Sequence, residues 1–285
     1  VNTEYTKFTV TPNKDSSNRT LYWTVDENGK LMRVVDAVKY PTTAWKALKA
    51  AVAAAQDGET ITINGEIKAT KASDNSGEID VTNTITIRGK GGAAVLNANK
   101  TEGGKTRHRI FNINSGKTLT LKDLTLKGGK GISGTFGGAI NVTGGSSKTE
   151  LEDCVIEDCE ADKGGAIGCG SGTTVTLTNT TIQNCKTTGT NGTGGAIYTE
   201  GGTVTMTSGT LTGNTAKSGG GVYLKDGTFT MKGSSCVTPS TGTEANEQGK
   251  NDVYLDSGKM ITVDGELTPV GGIAARITVG PIHYQ

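Results

Sequence analysis

The sequence predicts an all-β chain wound as a right-handed parallel β-helix, and three observations carry that prediction. A glycine-rich phrase recurs as Gly137-Gly138-Ala139-Ile140, Gly164-Gly165-Ala166-Ile167, Gly194-Gly195-Ala196-Ile197 and Gly219-Gly220-Gly221-Val222. The aliphatic residues that end it lie 27, 30 and 25 positions apart. A second phrase, threonine alternating with an aliphatic or aromatic residue, stands at 60–63, 84–87, 118–121, 174–177, 203–206 and 228–231. Such alternation is the pattern of a half-buried strand. Composition agrees: 43 glycines and 47 threonines in 285 residues, against 5 prolines and 5% aromatics. Glycine without a three-residue period excludes collagen, and threonine suits the exposed face of a strand.

Along the chain, 21–25 and 31–35 flank Asp26-Glu27-Asn28-Gly29 and read as a hairpin with an Asn-Gly turn. Residues 1–40 are thus expected to form a small β extension, and 41–285 the β-helix itself. A helix is expected over 44–56, because Trp45, Leu48, Val52 and Ala55 fall on one stripe. Thr42 or Thr43 is its N-cap candidate and Gly58 ends it. A stacked rod exposes a terminal core, so this helix reads as a plug over the first coil. A membrane-surface helix is the rival reading, and it has only Lys46 and Lys49 on its polar side.

The coils follow. Phe111 and Ile79 extend the aliphatic file upstream, and Val253 and Ile277 extend it downstream. A third apolar position comes about five residues after each threonine phrase, at Leu126, Ile156, Ile182, Leu211 and Cys236. Each repeat therefore supplies three short strands, and copies stacked one above another run parallel through right-handed crossovers. At roughly 4.8 Å per coil, eight or nine coils make a rod on the order of 40 Å long. The chain finishes at Pro281-Ile282-His283-Tyr284-Gln285 without an amphipathic helix, which reads as a cut boundary or an interface with a further domain. It starts at Val1 with no basic and apolar leader, as expected of a mature form or a cut piece.

The Gly-Gly-Ala-aliphatic phrase has a companion, aliphatic-x-x-Asn, at Leu211-Thr-Gly-Asn214. Cysteine replaces asparagine in Ile156-Glu-Asp-Cys159 and Ile182-Gln-Asn-Cys185. Together they resemble the repeat of chlamydial-type polymorphic outer membrane proteins and of other bacterial surface β-helices with a pectin-lyase-like fold. The resemblance covers about 60–280. It implies a bacterial surface or secreted passenger that is adhesive or structural, displayed outside the cell.

The candidate sites follow from stacking. Cys159 and Cys185 hold equivalent places in consecutive coils. A stacked pair of buried thiols is the favoured reading, a disulfide the alternative. Cys154, Cys169 and Cys236 fall on apolar positions. Outward threonines form two files, Thr60/Thr62, Thr84/Thr86, Thr118/Thr120, Thr174/Thr176, Thr203/Thr205 and Thr228/Thr230, broken at Lys148/Glu150 and at Met260/Thr262. A flat threonine array resembles an ice-binding surface, which is one alternative function. A polysaccharide-active enzyme of this fold is another, and it needs two converging carboxylates. The acids here are scattered. Their densest run, Glu150 to Asp162, could offer a Ca²⁺ site but reads better as a solvated turn. Arg107-His108-Arg109 is the one basic knot, fit for an acidic glycan or simply a charged edge.

Net charge is +1, which excludes a basic nucleic-acid binder. The run of apolar residues a membrane span requires is missing. The expectation is a non-catalytic module without cofactor or metal, a monomeric part of a larger chain. Its partner would be a host-cell or matrix protein or a glycan, met by the long turns 186–193 and 238–250. The first of these offers Lys186, Thr187, Thr188, Thr190 and Asn191 as contact residues.

Overall fold

Three strands per turn, each resting on its copy from the turn before, build a right-handed parallel β-helix. The structure, a computed structural model, describes residues 13–14, 20–25, 31–38, 44–72, 75–92, 94–102, 108–239, 249–269 and 271–280. On the first face, Ile79, Phe111, Ile140, Ile167, Ile197, Val222, Val253 and Ile277 form one in-register file. These are the positions marked by the glycine phrase and its extensions. From Ile79 to Val253 each is at most 1% exposed.

The second face carries Ile61, Ile87, Leu121, Leu151, Leu177, Met206, Met231 and Val263 in file. The third carries Ile67, Leu96, Leu126, Ile156, Ile182, Leu211 and Val237 on a seven-stranded sheet. Seven turns are therefore complete on all three faces, one or two fewer than the repeat count suggested. The apolar residues of the three files merge into one continuous core.

The glycine pair divides its work. The first member, as in Gly164 with φ +62, takes a left-handed conformation that only glycine adopts cheaply. The second, as in Gly165, lies so close to the carbonyl oxygen of Gly195 in the next turn that a Cβ has no room. At the corner between second and third faces, Asp123, Asp153 and Asn179 hold φ between 46 and 55°, a place these residue types tolerate.

Two registers differ from expectation. The strand Thr60–Asn64 lies two residues out of step, so Thr60 faces Thr86 and Thr62 faces Arg88. In the last turn Cys236 stands opposite Thr210, and Val237 takes the core file. That corner is one residue longer than its predecessors (Met231 to Val237, against Met206 to Leu211). Apolar Cys236 and Val237 sit side by side, so periodicity could not choose between them.

The helix spans Ala44–Ala54, two residues shorter than expected, and Trp45 and Leu48 are fully buried in the core. The Trp45 indole N–H donates to the Gly77 carbonyl at 2.9 Å, and Asn75 Oδ1 accepts from the Lys46 amide at 3.0 Å. Its apolar stripe closes the rod, as the plug reading requires. No described helix is long and apolar enough to cross a membrane. Strand Leu31–Asp36 adds to the second face beside Thr60–Asn64, and Thr20–Val25 pairs with it antiparallel. The extension thus continues the sheet. The Asn28-Gly29 turn and the N-cap candidates Thr42 and Thr43 lie outside the described residues.

One core position is out of character. Thr149 stands in the file between Leu119 and Val175, is fully buried, and its hydroxyl has no hydrogen-bond partner. A buried unsatisfied hydroxyl costs about 1–3 kcal/mol. Thr149→Val keeps the shape and removes the hydroxyl, so a urea melt is expected to show a gain of about 1 kcal/mol. An unchanged or lower midpoint would mean that the hydroxyl is satisfied.

Candidate functional site

The turns that lead from the third face back to the first vary most, and one built ladder runs through them. Gly128, Asp158, Asn184 and Gly213 start these turns with φ of 54 to 64°. The next residues, Gly129, Cys159, Cys185 and Asn214, point inward as a file. Cys159 and Cys185 are fully buried and carry free thiols, like the other three cysteines. Their Sγ atoms donate to the carbonyls of Glu157 (3.3 Å) and Gln183 (3.4 Å). Burial is the chief cause that pushes Cys154 up to about 11 and Cys185 well above its ordinary value. These are inert core groups.

Asn214 plays the same part with stronger bonds. Its Nδ2 donates to Ile182 O and Asn251 Oδ1, both at 2.9 Å, and its Oδ1 accepts from the Cys185 amide at 2.9 Å. Asn99 and Asn251 repeat the motif, donating to Ala69 O (2.9 Å) and Leu211 O (2.8 Å). The sequence reading passed over both, although Leu96-Asn-Ala-Asn99 carries the aliphatic-x-x-Asn spacing.

One residue further on, Lys130, Glu160 and Lys186 stack. Glu160 is 9% exposed and meets Lys130 at 2.6 Å, Lys100 at 3.5 Å and Lys186 at 3.9 Å. Burial by itself would raise its pKa. The hydrogen bond from Lys130 and the charges of Lys100, Lys130 and Lys186 outweigh it and hold the carboxyl below its ordinary value.

The expected contact turn leaves this ladder. The amides of Lys186, Thr187 and Thr188 donate to the carbonyls of Cys159, Thr215 and Ala161, all at 3.0 Å, so its first half is pinned between neighbouring turns. Lys186, Thr188, Thr190 and Asn191 are exposed, and Thr187 is half-buried. Lys217 Nζ donates to Asn191 Oδ1 at 3.0 Å. The five residues therefore share one rigid rim. The second long turn, 238–250, is described only at its two ends.

Around the rod the other candidates disperse. Glu150 accepts from Thr120 on the second face, Glu157 pairs with Lys127 at 2.8 Å on the third, and Glu160 lies in the turn. Acids contiguous in sequence are thus carried round one coil. Lys122–Glu152, Lys225–Glu200 and Lys259–Asp226 also pair across turns. Glu157 and Glu200 are lowered chiefly by hydrogen bonds from Lys127 and Lys225. A general acid needs the opposite shift. Among the described residues, no group of three or more His, Cys, Asp or Glu could hold a metal ion.

The basic knot also resolves differently. Arg107 lies outside the described residues, while His108 and Arg109 are 5% and 3% exposed beneath the capping helix. The Arg109 guanidinium pairs with Glu78 at 3.2 Å, and the His108 ring packs 5.2 Å from Trp45. Neither is a surface grip; the helix that covers them comes from a distant part of the chain. Burial, opposed by a bond to the Arg109 carbonyl and helped by Lys49, lowers the His108 pKa. An unfolded His108 therefore binds a proton that the folded ring refuses. Stability from this group is complete above pH about 6.5 and is lost as pH falls toward the depressed folded value. The expected result is a melting temperature that falls as pH drops below about 6.5, and a flatter profile for His108→Gln. Parallel profiles would refute the assignment.

A further surface feature went unread in the sequence. Tyr198, Tyr223 and Tyr254 stack in register on the first face, with centroids 5.8 and 4.7 Å apart. Phe136 fills the gap over Gly168 and packs 5.0 Å from Tyr198, with Lys163 Nζ over both rings. The signal was the tyrosine after each file residue in Ile197-Tyr198, Val222-Tyr223 and Val253-Tyr254. Burial first, then nearby acids, push the phenols up, Tyr223 to about 12. Stacking between Tyr198 and Tyr254 occupies both ring faces of Tyr223, so the ladder stabilises the rod there.

A family model described as a domain of unknown function, DUF4957, matches residues 69–219, just over half of the chain. No match was found among curated proteins or among solved structures.

Proposed function

The chain belongs to the DUF4957 family, whose description assigns no function, and on that premise we propose that it is a non-catalytic, adhesive or structural β-helix module of a bacterial surface or secreted protein. One observation carries the reading. Acids of the rod are engaged in ion pairs between turns, while 186–193 is pinned at its base and exposes Thr188 and Thr190 at its rim. Carboxylates so held stiffen the scaffold, and a stiff scaffold presents a turn at little entropic cost. The resemblance of the repeat to polymorphic outer membrane proteins supports display outside the cell, with a host protein or glycan as partner.

Binding to arrays of glycans and matrix proteins, scored without turnover, tests this. Alanine at Lys186, Thr187, Thr188, Thr190 and Asn191 together is expected to weaken the strongest signal at least about tenfold, roughly 1.4 kcal/mol. Undiminished binding removes this turn. Release of unsaturated or reducing sugars from pectin-like polymers would replace the proposal with an enzyme.

A further inference from the structure

Lysines elsewhere on the rod have an acid each, as in Lys122–Glu152, Lys225–Glu200 and Lys259–Asp226. The turns from the third face to the first hold an exception. Glu160 is the one acid for Lys100, Lys130 and Lys186, at 3.5, 2.6 and 3.9 Å. Among the described residues no other carboxylate comes within ion-pair distance of these three lysines. Two positive charges are left without a counterpart. The stacking imposes this crowding: Lys130, Glu160 and Lys186 follow one another in register, and Lys100 reaches over from two turns before Glu160. Lys100 and Lys186 both lie within 4 Å of the same oxygen, Oε2, so their ammoniums are less than 8 Å apart. The side chains of Lys100, Lys130 and Lys186 are 17%, 31% and 55% exposed. The excess charge is thus partly desolvated at its base, where like charges repel more strongly than in water. It opens to solvent at Lys186, whose ammonium stands beyond hydrogen-bond distance of any described acceptor.

We propose that this cluster is a binding site for a phosphate group. A phosphoryl group carries close to two negative charges and three strong acceptor oxygens. The charge matches what Glu160 leaves unbalanced, and the oxygens match ammoniums that arrive from three different turns. A carboxylate, with one charge, would leave the cluster still positive. Hydrogen bonds between charged partners are the strong ones, and lysine serves phosphate as a point charge that needs no planar fork. Glu160 has a double part. It gathers the three ammoniums, since hydrogen bonding and their charges hold it ionised, and it competes with the incoming anion for them. The site stands whether or not the turn 186–193 meets a partner, because the ion alone should fill it.

The test is isothermal titration of inorganic phosphate into the full chain at about pH 7.5, where phosphate is mainly dianionic. Sodium chloride holds the ionic strength constant, so screening does not vary. One ion per chain is expected, with a dissociation constant of about 1 mM, and acetate is expected to bind more weakly. Lys186→Gln alters an exposed side chain and is expected to weaken binding about tenfold, the loss of one charged hydrogen bond. Glu160→Gln removes the competitor and is expected to tighten binding several-fold. Lys127→Gln, a lysine that has Glu157 and Asp158 to itself, binds like the parent. A sugar phosphomonoester that binds more tightly than the free ion supports a ligand-borne group, and equal affinity supports the ion itself. No saturable binding by the parent overturns the proposal, as does acetate bound equally well. So does binding that Lys186→Gln leaves intact, or that Lys127→Gln weakens as much, since either puts the ion elsewhere. Weaker binding by a folded Glu160→Gln refutes the competition; should that variant not fold, the two lysine variants decide.

Discussion

Gly165→Ala is expected to cost at least about 3 kcal/mol and to lower the melting temperature by roughly 6–12 °C. The added Cβ would collide with the carbonyl oxygen of Gly195 and lie 2.5 Å from that of Lys186. Both are backbone atoms of the next turn, and both belong to the hydrogen-bonded stack: Gly165 N donates to Gly194 O at 2.9 Å, and Lys186 N to Cys159 O at 3.0 Å. Relief would require the turns to separate, which breaks bonds on either side. Gly145→Ala is the control. A Cβ there meets nothing within 4 Å, and its φ lies outside the left-handed region. Its effect is expected within about 0.5 kcal/mol. Equal costs for the two variants would show that the Gly-Gly phrase serves flexibility and not close approach.

Asn214→Ala is expected to cost about 3 kcal/mol by denaturant unfolding. The substitution leaves the Cys185 amide without its acceptor and Ile182 O without its donor, in a fully buried place. Each orphan carries a penalty of about 1–3 kcal/mol. Asn214→Cys is expected to cost less, because Cys159 in the same file accepts from the Gly129 amide through its sulfur at 3.3 Å. The order wild type, cysteine, alanine is the diagnostic. Alanine no worse than cysteine would mean that the file is held by packing alone.

Much of this architecture is legible in the repeat pattern. Ile140, Ile167, Ile197 and Val222 fall in one file because in-register stacking forces each coil to repeat its inward residues. The Thr62 position could not be read. A slip of two residues keeps every side chain on its own face, so alternation is blind to it. The contact turn was legible as a long polar insertion, but not that its base is pinned or that Lys217 reaches Asn191. His108 and Arg109 looked exposed because they are polar; the helix over them is more than fifty residues away in the chain.

The amino-acid sequence by itself determined three faces per coil, the direction of the strands and which residues fill the axis, since all of these follow from a pattern repeated at short range. Only the tertiary structure decided which charges meet across turns, what the plug covers, and that Ile277 and Val279 are exposed where Val253 and Leu255 in the same files are buried. Those depend on the summed lengths of many corners, which set the neighbours along the axis of residues about thirty apart, and no local periodicity encodes that sum.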